Sequence, residues 1–443
     1  MKSDKNKTLY LHVGFHKTAS SSIQLELFKN KDVLNSYGYH YPKGWRFNHN
    51  FLFGMFCDNP ELFYENVLNE IKNNEIIQNY QKLKEIYEDE LNNTNCGNFI
   101  LSSEDLSVLE ESGLIRLKKY LDNKLNNPKI KIVICVRGPI SFATSDIQQS
   151  IKVGYNFSFD NYNSIYKSRI SKFIDIFGLE NIIIFKFEDA VKNKKGPTGE
   201  FLSAIGLPDT IKEHFSGVKI NESFSSDAVE LMKFINQHAP ISDGKSLTEG
   251  RTPNDTIEFS KHKGARFRLS QEEVNVISSK SREDVAWLKD VFNIDYSDEL
   301  SKPALVNKNE IESSFLEFIE LNFSTLTPLI KKLTIQYLVE KVEKSITDNE
   351  IDAIIKTLSV LSKKHFSDIS AYSYSDFYDG LKNNKMAFSA DLFREAAFSL
   401  RKKEKYKHAY NILLISQAFR PEGDVIKQTL SDLQGIIRNE NKQ

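Results

Sequence analysis

Four short runs rich in apolar and β-branched residues punctuate the first part of the chain: TLYLHV (8–13), NFILSS (98–103), KIKIVICVR (129–137) and NIIIFKF (181–187). Runs this short and this continuous predict strands covered on both faces, not the alternating pattern of a half-solvated sheet. Gly14 follows the first run and predicts a tight turn. After it, SSSIQLELFKN (20–30) reads as a helix with apolar positions Ile23, Leu25 and Leu27, and with serines at its start to cap it. Long helical stretches separate the other runs. Parallel strands need crossover connections, usually helices, so the expected fold class is α/β: a three-layer domain around a central parallel sheet.

From about Ser301 the strand signals stop, and Lys- and Glu-rich amphipathic patterns such as EIESSFLEFIELNF and NEIDAIIKTLSVLSKKHF run on. This predicts an all-α C-terminal domain, with the chain divided as 1–300 and 301–443 and the boundary near 301–309. Within the tail, residues 393–421 place Ala396, Ala397, Leu400, Ala409, Leu413 and Pro421 at offsets that resemble one tetratricopeptide unit. One copy cannot bury its own faces, so an ordinary helical hairpin is the alternative. A tail of either kind is a candidate for protein contacts.

Composition narrows the function. With 443 residues, 40% of them hydrophobic, the chain has enough for a large core and is not a disordered protein. Its 59 basic and 60 acidic side chains nearly cancel, so no global field draws nucleic acid or an anionic membrane, and any anion site has to be local. Cys57, Cys96 and Cys135 are odd in number and lack the spacings of a zinc site or a disulfide framework, which points to a reducing compartment. The apolar run near the N-terminus is broken by His12 and is too short for a secretory signal, and no apolar stretch is long enough to span a membrane. The expectation is a soluble, cytoplasmic protein.

The densest chemistry lies in HVGFHKTASSSIQ (12–24), between the first strand and the first helix. The N–H groups of a helix N-terminus, the helix dipole, the hydroxyls of Thr18, Ser20, Ser21 and Ser22 and the ammonium of Lys17 would converge there on one oxyanion. This is a phosphate or sulfate cradle. It is not the Walker A loop, which has glycine directly before its lysine; His16 holds that position here.

FHKTASSS resembles the 5'-phosphosulfate loop of sulfotransferases that use 3'-phosphoadenosine 5'-phosphosulfate (PAPS), written Lys-Thr/Ser-Gly-Thr-Thr after a strand. Ala19 replaces the glycine, and Ser20 and Ser21 replace the threonines. A loop that needs a positive φ at Ala19 would be strained there. A second stretch, VRGPISFATS, resembles the family's 3'-phosphate motif, in which an arginine ends a strand and a serine follows eight residues later; Arg137 and Ser145 have that spacing. Arginine offers a planar donor fork that suits a phosphate. The likeness continues through NFILSSEDL, NIIIFKFEDAV, GEFLSAIGLP and KINESFSSDAVELMKFIN, covering about residues 8 to 295, and stops before the helical tail.

The resemblance implies a P-loop-like domain, PAPS as donor without a metal, and an acceptor hydroxyl or amine, on a saccharide if the chain follows the bacterial carbohydrate-type members. It implies a donor site of His16, Lys17, Thr18, Ala19, Ser20, Ser21, Ser22, Arg137 and Ser145, with Lys17 stabilising charge on the bridging oxygen to the 5'-phosphate. KHKGARFRLS (261–270) loosely resembles the loop that closes over the 3'-phosphate through Lys263 and Gly264; a solvated basic turn is the alternative.

The base for the acceptor proton is open. Glu104 follows the second strand, where ligands bind in open parallel sheets, and burial would raise its pKa toward base work; alternatively Ser103 caps a helix whose positive end Glu104 and Asp105 favour. His49 is the rival base, with aromatic neighbours in sequence that would equally suit a core histidine. YGYHYPKGWRF (37–47) is a candidate acceptor surface. Two other classes stand beside this reading: a nucleotide-dependent phosphotransferase, and a non-catalytic scaffold whose tail binds another protein.

Overall fold

All four apolar runs fold as strands of one parallel sheet: β1 Thr8–His12, then β3 Asn98–Ser102, β4 Lys129–Val136 and β5 Ile182–Lys186, with a two-residue β2, Tyr39–His40, at one edge. The structure is a computed structural model, and it describes residues 7–43, 46–63, 66, 71–159, 162–217, 223–242, 246–304, 310–365 and 388–440. The strand order is β2-β3-β1-β4-β5. β1 lies between β3 and β4, with His12 opposite Ser102 on one side and Val133 on the other. β2 pairs only at Tyr39 and His40, which is too short to leave a periodic signal in the sequence.

The pleat sorts each strand onto two cores. Leu9, Leu11, Phe99, Leu101, Ile132, Ile134 and Val136 face a cluster built with Leu114, Leu117 and Leu121 of the helix Glu111–Leu125 and with Ile170 and Phe173. Ile100, Val133, Cys135 and Phe185 face the other layer, against Ile23 and Leu27 of α1 (Ser20–Lys29) and Phe201 and Leu202 of the helix Gly196–Ala204. This is the three-layer α/β arrangement. Leu11, Ile132 and Ile134 have no exposed surface, and each such side chain contributes on the order of 1.5–3 kcal/mol by burial.

Two buried polar side chains of α1 are satisfied. Glu26 of α1 is buried, and its two oxygens accept from the Ser216 N–H and hydroxyl, both at 2.8 Å. Gln24 donates to the Ser102 carbonyl at 3.3 Å.

The chain forms two compact units, and the second is not simply the tail. The first comprises Met1–Asp146, Phe159–Glu222 and Gln271–Pro303; the second comprises Ile147–Ser158, Ser223–Ser270 and Ala304–Gln443. A single cut near residue 300 therefore leaves two earlier segments on the wrong side, and one crossing falls inside the helix Pro139–Lys152, here called α2.

Among its described residues, the second unit is mainly helical. Ser225, Thr327 and Thr347 cap successive helices by accepting from the N–H groups of Ala228, Ile330 and Glu350, and Pro328 fills the first turn after Thr327, as short hydroxyl residues and proline do at helix starts. The helices Phe388–Lys402 and Tyr406–Phe419 form a hairpin that buries Phe393, Ala396, Ala397, Leu400, Ala409 and Leu413. Among the described residues, no helix is long and apolar enough to cross a membrane.

Candidate active site at the β1 loop

β1, β3 and β4 are adjacent and parallel, so the residues that follow them emerge along one edge of the sheet: the loop 13–19 after β1, Glu104 after β3 and Arg137 after β4. Ligands bind at this carboxyl edge in open α/β sheets.

The loop is held by left-handed backbone. Gly14, Lys17 and Ala19 have φ of 45°, 65° and 66°. Gly14 is required by its surroundings as well, since a Cβ there would stand 2.6 Å from the Ser20 hydroxyl. Ala19 is the N-cap of α1: its carbonyl accepts from Ser22 N at 3.0 Å and Ile23 N at 3.1 Å, and no side chain caps the helix. The serines thus occupy the first turn and do not cap it, contrary to the sequence expectation. Ahead of those bonds, the Ser20 and Ser21 N–H groups have no carbonyl one turn back within the helix to donate to.

The positive φ that would strain Ala19 is present. A residue with a Cβ in this region costs on the order of 1 kcal/mol relative to glycine. Ala19→Gly is therefore expected to stabilise the fold by up to about 1 kcal/mol, after subtracting the entropy that glycine adds to the unfolded chain; urea unfolding would show a higher midpoint. An unchanged or lower midpoint would mean that the loop is not strained at this position.

Thr18 takes no part in an open cradle. Its hydroxyl is buried, donates to the Phe15 carbonyl at 2.5 Å and accepts from the Phe15 N–H at 3.3 Å, closing the turn. Ser20 is also buried, 3.4 Å from the same carbonyl. Lys17, His16 and Ser21 are half-buried.

His16 Nε2 lies 3.0 Å from Asp105 Oδ1. Burial works against the charged imidazole, but Asp105 and Glu104 outweigh it, and the His16 pKa is raised. The Glu104 pKa is also raised: burial dominates, Asp105 adds to it, and His16, Lys17 and Ser20 oppose it. Ser103, a candidate cap, makes no side-chain cap, and its hydroxyl is buried without a partner among the described residues. Asp105, at the ring of His16, is a neighbour of the site that only its place next to Glu104 could have suggested.

Arg137 joins the two motifs directly. Its Nη1 donates to the Lys17 carbonyl at 2.9 Å, across 120 residues of sequence, and its Nε donates to Ser141 Oγ at 2.5 Å. The guanidinium also stacks over the Phe187 ring at 4.6 Å, and its own carbonyl accepts from Tyr166 Oη at 2.5 Å. Ser145 is half-buried one turn beyond Ser141 on α2.

Two carboxylates face the start of α2. Glu188 accepts from Gly138 N at 2.9 Å and Glu299 from Ser141 N at 3.0 Å. Burial, opposed by the Ser141 N–H and by Arg137, pushes the Glu299 pKa up to about 7. Glu188 stands two residues after β5, as Glu104 does after β3, and that position is its sequence signal; Glu299 and Ser141 carried none for this place.

The remaining candidates lie elsewhere. His49 is fully buried; its Nδ1 accepts from Ser102 N at 2.8 Å and its Nε2 donates to the Pro42 carbonyl at 3.0 Å. Burial pushes its pKa down to about 4. Both ring nitrogens are committed to main chain, which leaves no lone pair for an acceptor proton: it is the core histidine of the two alternatives. Lys263 and Gly264 are exposed residues of the second unit, Gly264 standing beside Glu312. Part of the segment 37–47 lies outside the described residues, although Tyr41 within it is buried and donates to the Phe47 carbonyl at 2.7 Å.

No family model and no curated protein matches this sequence. Among solved structures, the chain is similar to a sulfotransferase from Alicyclobacillus acidocaldarius, with 13% identity over 65% of this chain and 97% of that one and a TM-score of 0.35. A likeness that loose carries no functional inference.

Proposed function

We propose that this chain is a sulfotransferase that moves the sulfuryl group of PAPS to an acceptor hydroxyl or amine, on a saccharide in the reading that its sequence resemblance favours. The observation that carries the proposal is the hydrogen bond from Arg137 to the Lys17 carbonyl. It sets a guanidinium against the backbone of the loop that carries Lys17 ahead of α1, the juxtaposition that a nucleotide with phosphates at both its 3' and 5' ends would need. In this reading the loop and Lys17 hold the 5'-phosphosulfate, and Arg137 with Ser145 holds the 3'-phosphate.

The acceptor oxygen or nitrogen attacks sulfur in line as the bond from sulfur to the bridging oxygen breaks. The electron pair leaves on the 5'-phosphate, where Lys17 stabilises it, and the acceptor proton passes to Glu104. Glu104 takes the base role over His49, because its carboxyl stands at the loop with its affinity for a proton raised by burial, whereas the imidazole of His49 is spent on the backbone.

Calorimetry with the desulfated nucleotide, 3'-phosphoadenosine 5'-phosphate, tests this without an acceptor. Micromolar binding is expected, with ADP and ATP much weaker. Arg137→Ala should weaken it by about tenfold or more, the size of a lost charge-assisted contact. A preference for ATP with magnesium would move the protein to the phosphotransferases.

A further inference from the structure

The same loop faces a cation that the donor site does not use. Arg169 lies in the first turn of the helix Tyr166–Phe177, here called α3. Its guanidinium stands over the Phe15 ring at 5.6 Å, and its Nη1 is buried with no acceptor among the described residues. The helix offers no reason for it, since a positive charge in a first turn opposes the helix dipole. A buried donor of a charged group left unpaired is costly.

Its neighbours do not discharge it. Asp146, on the following turn of α2 from Phe142, feels Arg169, His16 and Lys17, yet burial keeps its pKa raised. Lys172, on the same helix, donates to the Leu109 carbonyl at 2.6 Å, and burial together with Arg169 pushes its pKa down to about 8. The Arg169 guanidinium therefore sits in the electrostatic field of the Lys17 loop without an ion pair of its own.

We propose that Arg169 is the recognition group of an oxyanion subsite beside the Lys17 loop, where its half-buried, unpaired guanidinium binds a sulfate-like or carboxylate group carried by a ligand. The inference rests on the donor reading for the identity of that ligand, which supplies two sources of the same chemistry. One is the sulfuryl group in transfer. The other is an anionic substituent on the acceptor, such as the carboxylate or sulfate of an acidic saccharide.

The test is equilibrium dialysis of radiolabelled inorganic sulfate at constant ionic strength, with and without 3'-phosphoadenosine 5'-phosphate. It compares the native chain with Arg169→Met, which keeps the bulk over Phe15, and with Lys17→Met and Asp146→Asn. Sulfate should bind the native chain and bind Arg169→Met about tenfold more weakly or not at all. Asp146→Asn leaves Arg169 in place and should bind sulfate more tightly, because a competing carboxylate is gone.

Loss in both Arg169→Met and Lys17→Met would assign the subsite to the transferring group; loss in Arg169→Met alone would assign it to the acceptor. Equal sulfate binding by native and Arg169→Met, or none by the native chain, overturns the proposal. Failure of the nucleotide to bind while sulfate is still held through Arg169 would sink the donor reading and leave this subsite standing.

Discussion

Lys17→Met is expected to slow donor turnover by about 10²- to 10³-fold, corresponding to the ~3 to 4 kcal/mol that one preorganised donor supplies to a developing negative charge. The physical reason lies in where the charge goes. In the proposed ground state the 5'-phosphosulfate is already anionic and would be held by several groups at once: the free N–H groups of the α1 turn, whose start is set by the Ala19 carbonyl, and Lys17 itself. In the transition state extra charge builds on the oxygen that leaves sulfur, and an ammonium beside that oxygen gains more than its neighbours do. Methionine keeps most of the apolar stem, so the loss should fall on kcat more than on nucleotide affinity, the signature of an interaction made mainly in the transition state.

The measurement is the appearance of 3'-phosphoadenosine 5'-phosphate from PAPS, with water or an added alcohol as acceptor. Circular dichroism and nucleotide calorimetry on the same variant show that the fold and the donor site persist. Turnover in a folded Lys17→Met chain equal to the native rate would remove Lys17 from the chemistry. It would turn the loop into a binding feature alone, as the scaffold reading requires.

The sheet was legible because its strands are buried on both faces. A continuous run such as KIKIVICV has few other solutions, and both of its faces are filled, by Ile132 and Ile134 on one side and Val133 and Cys135 on the other. β2 was not legible, because two residues have no period. The cap of α1 was misread for a local reason: serines favour N-caps, but the left-handed Ala19 ends the loop one residue earlier and draws Ser20, Ser21 and Ser22 into the helix.

Site residues divide the same way. Arg137, Glu104 and Glu188 stand within two residues of strand ends and Lys17 stands in the loop after β1, where one-dimensional order predicts a shared edge. Arg169 and Glu299 reach this region through tertiary packing of helices that follow later in the chain. No spacing in the sequence encodes that. The composition of the second unit was hidden for a related reason. The helix Ser226–His238 has an apolar face that reads as part of any α/β domain, yet it buries Leu231, Met232 and Ile235 within the unit that contains the helix Pro328–Lys344.

Glu104→Gln separates the base from the cradle, because two of its effects run in opposite directions. Loss of a positioned base is expected to cost about 10²- to 10⁴-fold in turnover. The native rate should rise with pH as the Glu104 carboxyl loses its proton and then level off, and because burial raises its pKa this limb lies above the range of an ordinary glutamate. In Glu104→Gln the limb should vanish along with the rate.

Stability moves the other way. A carboxyl whose pKa is higher in the folded than in the unfolded chain binds its proton more tightly when folded. Its contribution to stability therefore falls as pH rises from the unfolded carboxylate range through the folded value, and the full penalty remains above it. Glutamine cannot ionise and escapes that penalty, so at neutral pH the variant should melt at a higher temperature than the native chain while turning over far more slowly. Thermal unfolding near pH 5 and near pH 8, beside the rate profile, reads both effects. If the rate survives and its acid limb is unchanged, Glu104 is not the base. The next candidate would then be Asp146, whose pKa is also raised by burial and which answers to the same His16 and Lys17.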